Sequence, residues 1–418
     1  MRIAYVTPYQ GPSLLQQRPI IKNRSLSNTV KMELVASVLA AGGHTVEIIS
    51  QGEVVENQIH LYPAFSESKR FHPSIPISYA SSLPVRRLNG LWSSWRTLQL
   101  FKSRHKVRPF DLVIILNMKE PQITCANYAI RALNIPVVLE YEDDAFVSVV
   151  GVTADGFVSA LRDRIRRSLL GKISGCVAVS PHLLSQVSTS IPTMLLRGAV
   201  NADVIDACQR NREAKRNWIL FSGTHIESNG VGPLLDAWRS APVADWELHI
   251  TGYGQLTEAL REKSKGIPNV VFHGLVTRAT LVELMSQAQV CINPHAPSLT
   301  PGNVFAFKII EYLAAGAHCV TTRMGTLEPD IETGISYMPD NSPATIARTL
   351  QNVIENRHYE RRAVKATQDT YSAKAVSASL ASLLREVVTR NKKDFRHERI
   401  QALSRGEEHI SDAGGQRL

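Results

Sequence analysis

The stretch NVFAFKIIEYLAAG, residues 303–316, decides how this chain is read. Lys308, Glu311 and Tyr312 sit in an apolar run that ends at small residues and Gly316, the pattern of a loop entering a helix. VCIN (290–293) precedes it across the Pro/Ser/Thr/Gly-rich PHAPSLTPG (294–302), and HCVTT (318–322) follows. Together these segments predict a strand–loop–helix–strand unit of the α/β kind. In such a unit the start of the helix faces the carboxyl end of a strand, where unpaired N–H groups and the helix dipole attract anions. Glu311, one turn in, can accept two hydroxyls such as a ribose offers. The plainer alternative is a packed helix whose Lys308 and Glu311 face water.

The same alternation extends in both directions. WILFSG (218–223), WELHITGYG (246–254) and VVFHGLV (270–276) read as strands, each followed by a helical stretch. Before them, RIAYVTP (2–8), HTVEIIS (44–50), DLVIILN (111–117), IPVVLEYED (135–143) and GCVAVS (175–180) predict a first parallel sheet. The helix SNTVKMELVASVLAAGG (27–43) joins its first two strands, and the polar RNREAKRN (210–217) connects the halves. The fold class is therefore α/β, with two Rossmann-like, doubly wound domains facing each other across a cleft. Expected boundaries are 1–205 and 206–370, then a helix over 371–390 that crosses back to the first domain, and a disordered tail over 391–418. Residues 51–85 read as irregular.

Composition narrows the partners. The 418 residues are 44% hydrophobic and 20% charged, which excludes a disordered chain, and runs such as LVIIL (112–116) are too short to span a membrane. Five scattered cysteines without CxxC indicate neither a disulfide framework nor a zinc site and fit a reducing cytoplasm. A net charge of +10 predicts an anionic partner. No nucleic-acid-binding signature is present, so nucleic acid is not expected. Residues 86–108 carry Arg86, Arg87, Arg96, Lys102, Arg104, Lys106 and Arg108 around Leu91, Trp92 and Trp95. This stretch reads either as an amphipathic helix on an anionic membrane or as a helix covering the sheet. LRDRIRRSLLGK (161–172) adds a second basic stretch. Glu140, Glu142, Asp143 and Asp144 end one strand, either facing substrate or ion-paired in a loop. The loop at 9–26, with Gly11 and Arg18, is expected to meet the ligand.

The order of these motifs resembles the retaining, nucleotide-sugar-dependent glycosyltransferases of the GT-B fold, specifically glycosyltransferase family four. The resemblance covers about residues 1–390 and rests on RIAYVTP, AVSPHLLSQV, LLRGAVNADV, the second-half strands and above all FKIIEYLAAG. It implies transfer of a sugar from a UDP- or GDP-sugar to an acceptor hydroxyl, with retention, no metal requirement and no cofactor beyond the donor. The second domain would hold the nucleotide, and the first a carbohydrate or lipid-linked acceptor of lipopolysaccharide, capsule, exopolysaccharide or glycolipid synthesis. The enzyme would be cytoplasmic, at the inner face of the membrane.

By that resemblance, Glu311 takes the ribose, and Lys308 with the backbone of Phe305, Ala306 and Phe307 faces the diphosphate. Gly11 lets backbone approach the same group, and Leu275 and Val276 flank the base. Glu142 and Asp143 orient acceptor or sugar where relatives carry a His-Asp pair. Gly223, Thr224 and Asn303 occupy donor-facing positions. Departures are concentrated there: Thr224 and Asn229 replace an Arg and a Lys, and Asn303 replaces a glutamate. Lys308, Arg197 or Arg323 would have to compensate. His225 and His295 are further candidates. Competing readings are a degenerate GT-B protein that binds without turnover, and another GT-B enzyme such as a sugar-nucleotide epimerase.

Overall fold

The computed structural model describes residues 1–18, 26–52, 54, 59–68, 72, 74–85, 88–146, 156–297, 305–356 and 361–404. The first domain runs β1 (Arg2–Thr7), α1 (Pro12–Gln17), α2 (Leu26–Ala41), β2 (Thr45–Ser50), β3 (Phe65–Glu67), β4 (Ile77–Tyr79), α3 (Asn89–Val107), β5 (Leu112–Leu116), α4 (Glu120–Ala132), β6 (Val137–Tyr141), α5 (Gly156–Leu170), β7 (Gly175–Ala178), α6 (Pro181–Ser185) and β8 (Thr193–Leu195). Its sheet has the order β3-β4-β2-β1-β5-β6-β7-β8 and is parallel except for the β3–β4 pair. β1 is buried along its whole length, as expected for a central strand covered by helices on both faces.

The second domain runs α7 (Ala202–Arg210), β9 (Arg216–Ser222), α8 (Val231–Ser240), β10 (Glu247–Thr251), α9 (Thr257–Ser264), β11 (Val270–Gly274), α10 (Arg278–Gln287), β12 (Ala288–Asn293), α11 (Lys308–Ala314), β13 (His318–Thr322), α12 (Pro329–Glu332), β14 (Ile335–Met338), α13 (Pro343–Asn356) and α14 (Arg361–Tyr371). Its parallel sheet has the order β11-β10-β9-β12-β13-β14. The order reverses at β9, so the carboxyl ends of β9 and β12 form a switch-point crevice. α7 packs on α10 and α11 and so lies on the second domain.

The final helix, α15 (Ala373–Ser404), returns to the first domain, where Val376, Leu380, Leu384 and Val387 join the core around α2 and β2. The crossing is tied by the Val200 N–H donating to the Tyr371 carbonyl at 2.6 Å and the Ala373 N–H donating to the Val200 carbonyl at 2.9 Å. Helix continues past 391, where a tail was expected, and residues 405–418 lie outside the described residues.

Other expectations change as well. Residues 51–85, read as irregular, contribute β3 and β4. The loop at 9–26 contains α1, and Arg18 does not meet a ligand: it is buried and donates to the carbonyls of Gly52, Pro63 (2.8 Å) and Ala80 (2.9 Å). A guanidinium with several donors can satisfy three inward carbonyls at once, which a lone loop could not.

The basic stretch is a packed helix with an exposed apolar rim. In α3, Phe101 is buried, Arg104 pairs with Glu47, Arg96 donates to Ser81 at 2.9 Å, and Lys102 lies 4.3 Å over Tyr128. Leu88, Leu91 and Trp95 remain exposed, Leu91 by 73%. Arg86 and Arg87 lie outside the described residues.

Two features of the strand ends yield predictions. Gly252, at the end of β10, has φ +121°, and a Cβ there would collide with the Gly223 carbonyl. Gly252→Ala is therefore expected to cost about 2 kcal/mol, measured as a lowered urea midpoint at unchanged m-value. Glu140 on β6 is buried and accepts from the Tyr5 hydroxyl at 2.5 Å. Burial, with Glu142 nearby, pushes its carboxyl above the ordinary 4.5. A carboxyl raised in the folded state contributes stability that is complete below 4.5 and is lost as pH rises through the folded value. Glu140→Gln has no proton to lose, so its melting temperature relative to wild type should climb between pH 5 and pH 9.

Candidate active site

α11 sets one wall. Its Lys308 and Tyr312, four residues apart, share a helix face directed at the end of β9. The Tyr312 hydroxyl accepts from the Ser222 N–H at 3.1 Å and bonds the Ser222 hydroxyl at 2.8 Å. Lys308 Nζ donates to the Ser222 carbonyl at 3.1 Å and stands 4.8 Å over the Phe221 ring. Burial lowers its pKa to about 8. Lys308 thus brings a cation beside Gly223, Thr224 and Asn229. Asn229 is turned inward: its Nδ2 donates to the Thr224 carbonyl at 2.7 Å and closes the loop.

The opposite wall belongs to the first domain. Asn117, just past β5, adopts a left-handed conformation with φ 56°. Its Oδ1 accepts from the N–H groups of Glu142 (2.8 Å) and Asp143 (3.1 Å), and its Nδ2 donates to Asp143 Oδ2 at 2.9 Å. Lys31 of α2 pairs with Glu142 and lies 3.5 Å over the ring of Phe307. The acidic cluster therefore divides. Glu140 points into the core, Glu142 and Asp143 face the cleft, and Asp144 bonds His182 (3.0 Å) and Gln186 (2.8 Å).

Between the walls is a cavity of about 270 Å³, lined by Asn28, Lys31, Glu142, Asp143 and Val179 on one side and by Gly223, Thr224, Asn229, Phe305, Ala306, Phe307 and Lys308 on the other. Eight of the residues singled out in the sequence as catalytic or donor-binding meet there: Lys308, Glu142, Asp143, Gly223, Thr224, Phe305, Ala306 and Phe307. Of the others, Gly11, Leu275, Val276 and Glu311 do not line it. The space where a Gly11 side chain would stand is taken by the Tyr9 ring and the Tyr79 hydroxyl, so this glycine is explained by aromatic packing. Leu275 is exposed and Val276 half-buried beyond the end of β11. Glu311, one turn on from Lys308, does not line this cavity; it pairs with Arg278 at 2.6 Å, and Arg278 also meets Asp203 at 3.4 Å. Asn303 lies outside the described residues.

Arg197 and Arg323, the other candidate cations, are not among the described residues that line the cavity. Arg197 is buried with its guanidinium 5.8 Å from the centre of the Phe305 ring, and Arg323 lies over Tyr337. His225 is fully buried with Nδ1 bonded to Thr257 at 3.0 Å, a structural role, and His295 is half-buried beside the Ala296 carbonyl. Sequence reasoning missed Lys31, Asn117 and Arg278. Lys31 is the one cation of α2, and Asn117 directly follows a buried strand.

A second hollow, about 350 Å³, lies at the amino end of β12 and β13 around Lys215. Lys215 Nζ there donates to the Ala288 (3.0 Å) and Ala315 (3.1 Å) carbonyls. Parallel sheets bind ligands at their carboxyl ends, so the interdomain cavity is the candidate. Among the described residues no cluster of three His, Cys, Asp or Glu side chains could hold a metal ion.

Residues 216–356 match the family model described as glycosyl transferases group 1. A GDP-mannose-dependent alpha-(1-6)-phosphatidylinositol dimannoside mannosyltransferase of Mycobacterium tuberculosis is 26% identical over 142 residues, 34% of this chain and 36% of that protein. The match thus spans about a third of the length of these curated relatives. Likeness in structure is more extensive. Sucrose-phosphate synthase from Thermosynechococcus elongatus superposes with a TM-score of 0.66 at 17% identity, over 93% of this chain and all of that one. HepE of Anabaena, solved with UDP and glucose, gives 0.61 at 13% identity, over 92% and 99%. The lipopolysaccharide outer core galactosyltransferase WaaB gives 0.57 at 12% identity, over the same shares. The chain has the GT-B fold, and its second domain carries the sequence match to glycosyl transferases group 1.

Proposed function

We propose that this protein is a retaining glycosyltransferase that moves a sugar from a UDP- or GDP-sugar to the hydroxyl of a carbohydrate or lipid-linked acceptor. The observation that carries this reading is the Lys308 ammonium held at the Ser222 carbonyl on the cavity wall. When a sugar leaves a nucleoside diphosphate, negative charge grows on the phosphate oxygens, and a fixed cation in a water-poor site stabilises that change. Lys308 supplies what Thr224 and Asn229 lack. Glu142 and Asp143 face it across the cavity, where the acceptor hydroxyl would enter. Further support comes from the group 1 match and from neighbours solved with UDP and UDP-glucose.

A second reading is a nucleotide-sugar binder without turnover. It is favoured by Asn229 turned into its own loop and by Glu311 engaged with Arg278. Calorimetry and turnover separate the two. Wild type should bind UDP or GDP, Lys308→Met should weaken that binding about tenfold or more, and Glu311→Ala should weaken it too. The affinity of wild type should fall as pH rises through about 8, where Lys308 loses its proton, while Lys308→Arg stays flat. Donor consumption that requires acceptor supports the transferase. Binding without consumption across a panel of lipid-linked acceptors supports the second reading, and no nucleotide binding removes both.

The acceptor side suggests where the protein meets a surface. Leu88, Leu91 and Trp95 form an exposed apolar strip on α3 among basic residues, a combination suited to an anionic bilayer. No helix among the described residues is long and apolar enough to cross a membrane, so the contact would be peripheral. Flotation with anionic liposomes should be retained by wild type and reduced several-fold in Leu91→Ser/Trp95→Ser. Equal flotation of the two would remove this surface from the proposal.

A further inference from the structure

Lys31 stands on the first domain but contacts the second. It is largely buried, its side chain 13% exposed, and it pairs with the equally enclosed Glu142. Its ammonium also stands 3.5 Å from the centre of the Phe307 ring, directly before Lys308 in the chain. Two cations, Lys31 and Lys308, and two carboxylates, Glu142 and Asp143, therefore line one cavity. Their formal charges cancel. The carboxylates are held differently: Asp143 is bonded by the neutral Asn117 amide, whereas Glu142 has Lys31 as its ion-pair partner.

A diphosphate entering this cavity competes with Glu142 for a cation. Lys308 donates to a neutral carbonyl, so a phosphate can engage it without breaking an ion pair. Lys31 must loosen its hold on a carboxylate first. A phosphate oxygen accepts a charge-assisted bond as strong as a carboxylate does, so the exchange replaces one such bond with another. It leaves Glu142 without its cation, in an enclosed site where an unpaired carboxylate is a better proton acceptor.

We propose that Lys31 is the second diphosphate-binding cation of this site, supplied from the domain opposite the nucleotide, and that donor binding transfers it from Glu142 to the phosphates. Glu142 is thereby made available to the acceptor hydroxyl only when donor is present. This rests on the transferase reading above.

The test is a double-mutant cycle by calorimetry on the full chain, with UDP, GDP, UMP and GMP as probes. Lys31→Met should weaken binding of the preferred nucleoside diphosphate about tenfold and of its monophosphate less than about threefold, with Lys31→Arg restoring most of the loss. Glu142→Gln should tighten diphosphate binding, because it frees Lys31 beforehand. That tightening should disappear in Lys31→Met/Glu142→Gln. If it persists in the double variant, the effect is simple charge repulsion and the exchange is overturned. Unchanged diphosphate binding in a folded Lys31→Met protein overturns the role of Lys31 while leaving the transferase reading intact. If Lys31→Met fails to fold by its melting curve, Lys31→Gln replaces it, and Glu142→Gln alone still decides: no tightening overturns the proposal. Failure of wild type to bind any of the four nucleotides removes the transferase reading itself.

Discussion

The carboxyl end of β9 is held by α11, and much of the cleft depends on that grip. Tyr312 meets the N–H and hydroxyl of Ser222 while Lys308 meets its carbonyl. One residue's backbone is thus fully engaged by two side chains a single helical turn apart. The arrangement closes the polar groups where a strand stops, which a buried loop must do in some way. It also fixes the height at which the ammonium sits. Gly223 follows at once and brings its backbone against Gly252, so the ends of β9 and β10 are drawn together beneath the cavity.

The facing wall is organised by Asn117, a neutral side chain. Its left-handed backbone directs the amide at the loop after β6, and both Glu142 and Asp143 take their N–H partners from it. Asparagine adopts this conformation more readily than most residues because its short amide can bond locally. A carboxylate here would repel Asp143. The two walls therefore differ in kind: one presents a cation anchored to backbone, the other presents carboxylates anchored by an amide and a lysine.

Much of the architecture was legible because both halves repeat an unmistakable alternation of buried strands and helical stretches. RIAYVTP and LVIIL could be little else than central strands. Short edge elements were not: β3 and β4 have three residues each, too few to show a period. The cavity was partly legible. Lys308, Gly223 and Phe305 to Phe307 were found from the order of motifs around one helix. Glu311 was expected toward the ligand; in the structure it is held by Arg278, a partner thirty-three positions away. Lys31 was overlooked for the same reason. Its significance comes from Glu142 and Phe307, and proximity between distant segments is not written in local periodicity.

The pair of hydrogen bonds between Val200 and the Tyr371–Ala373 segment has a mechanical consequence. Both passages of the chain between the domains run along one edge and are fastened to each other there. Relative movement then has a narrow pivot, and displacement grows with distance from it. Phe307 lies close to this pivot, its ring against Gly198 and beside Leu34, Val35 and Val376, so the stack of Lys31 on Phe307 and its pairing with Glu142 sit where rotation would separate the two domains least.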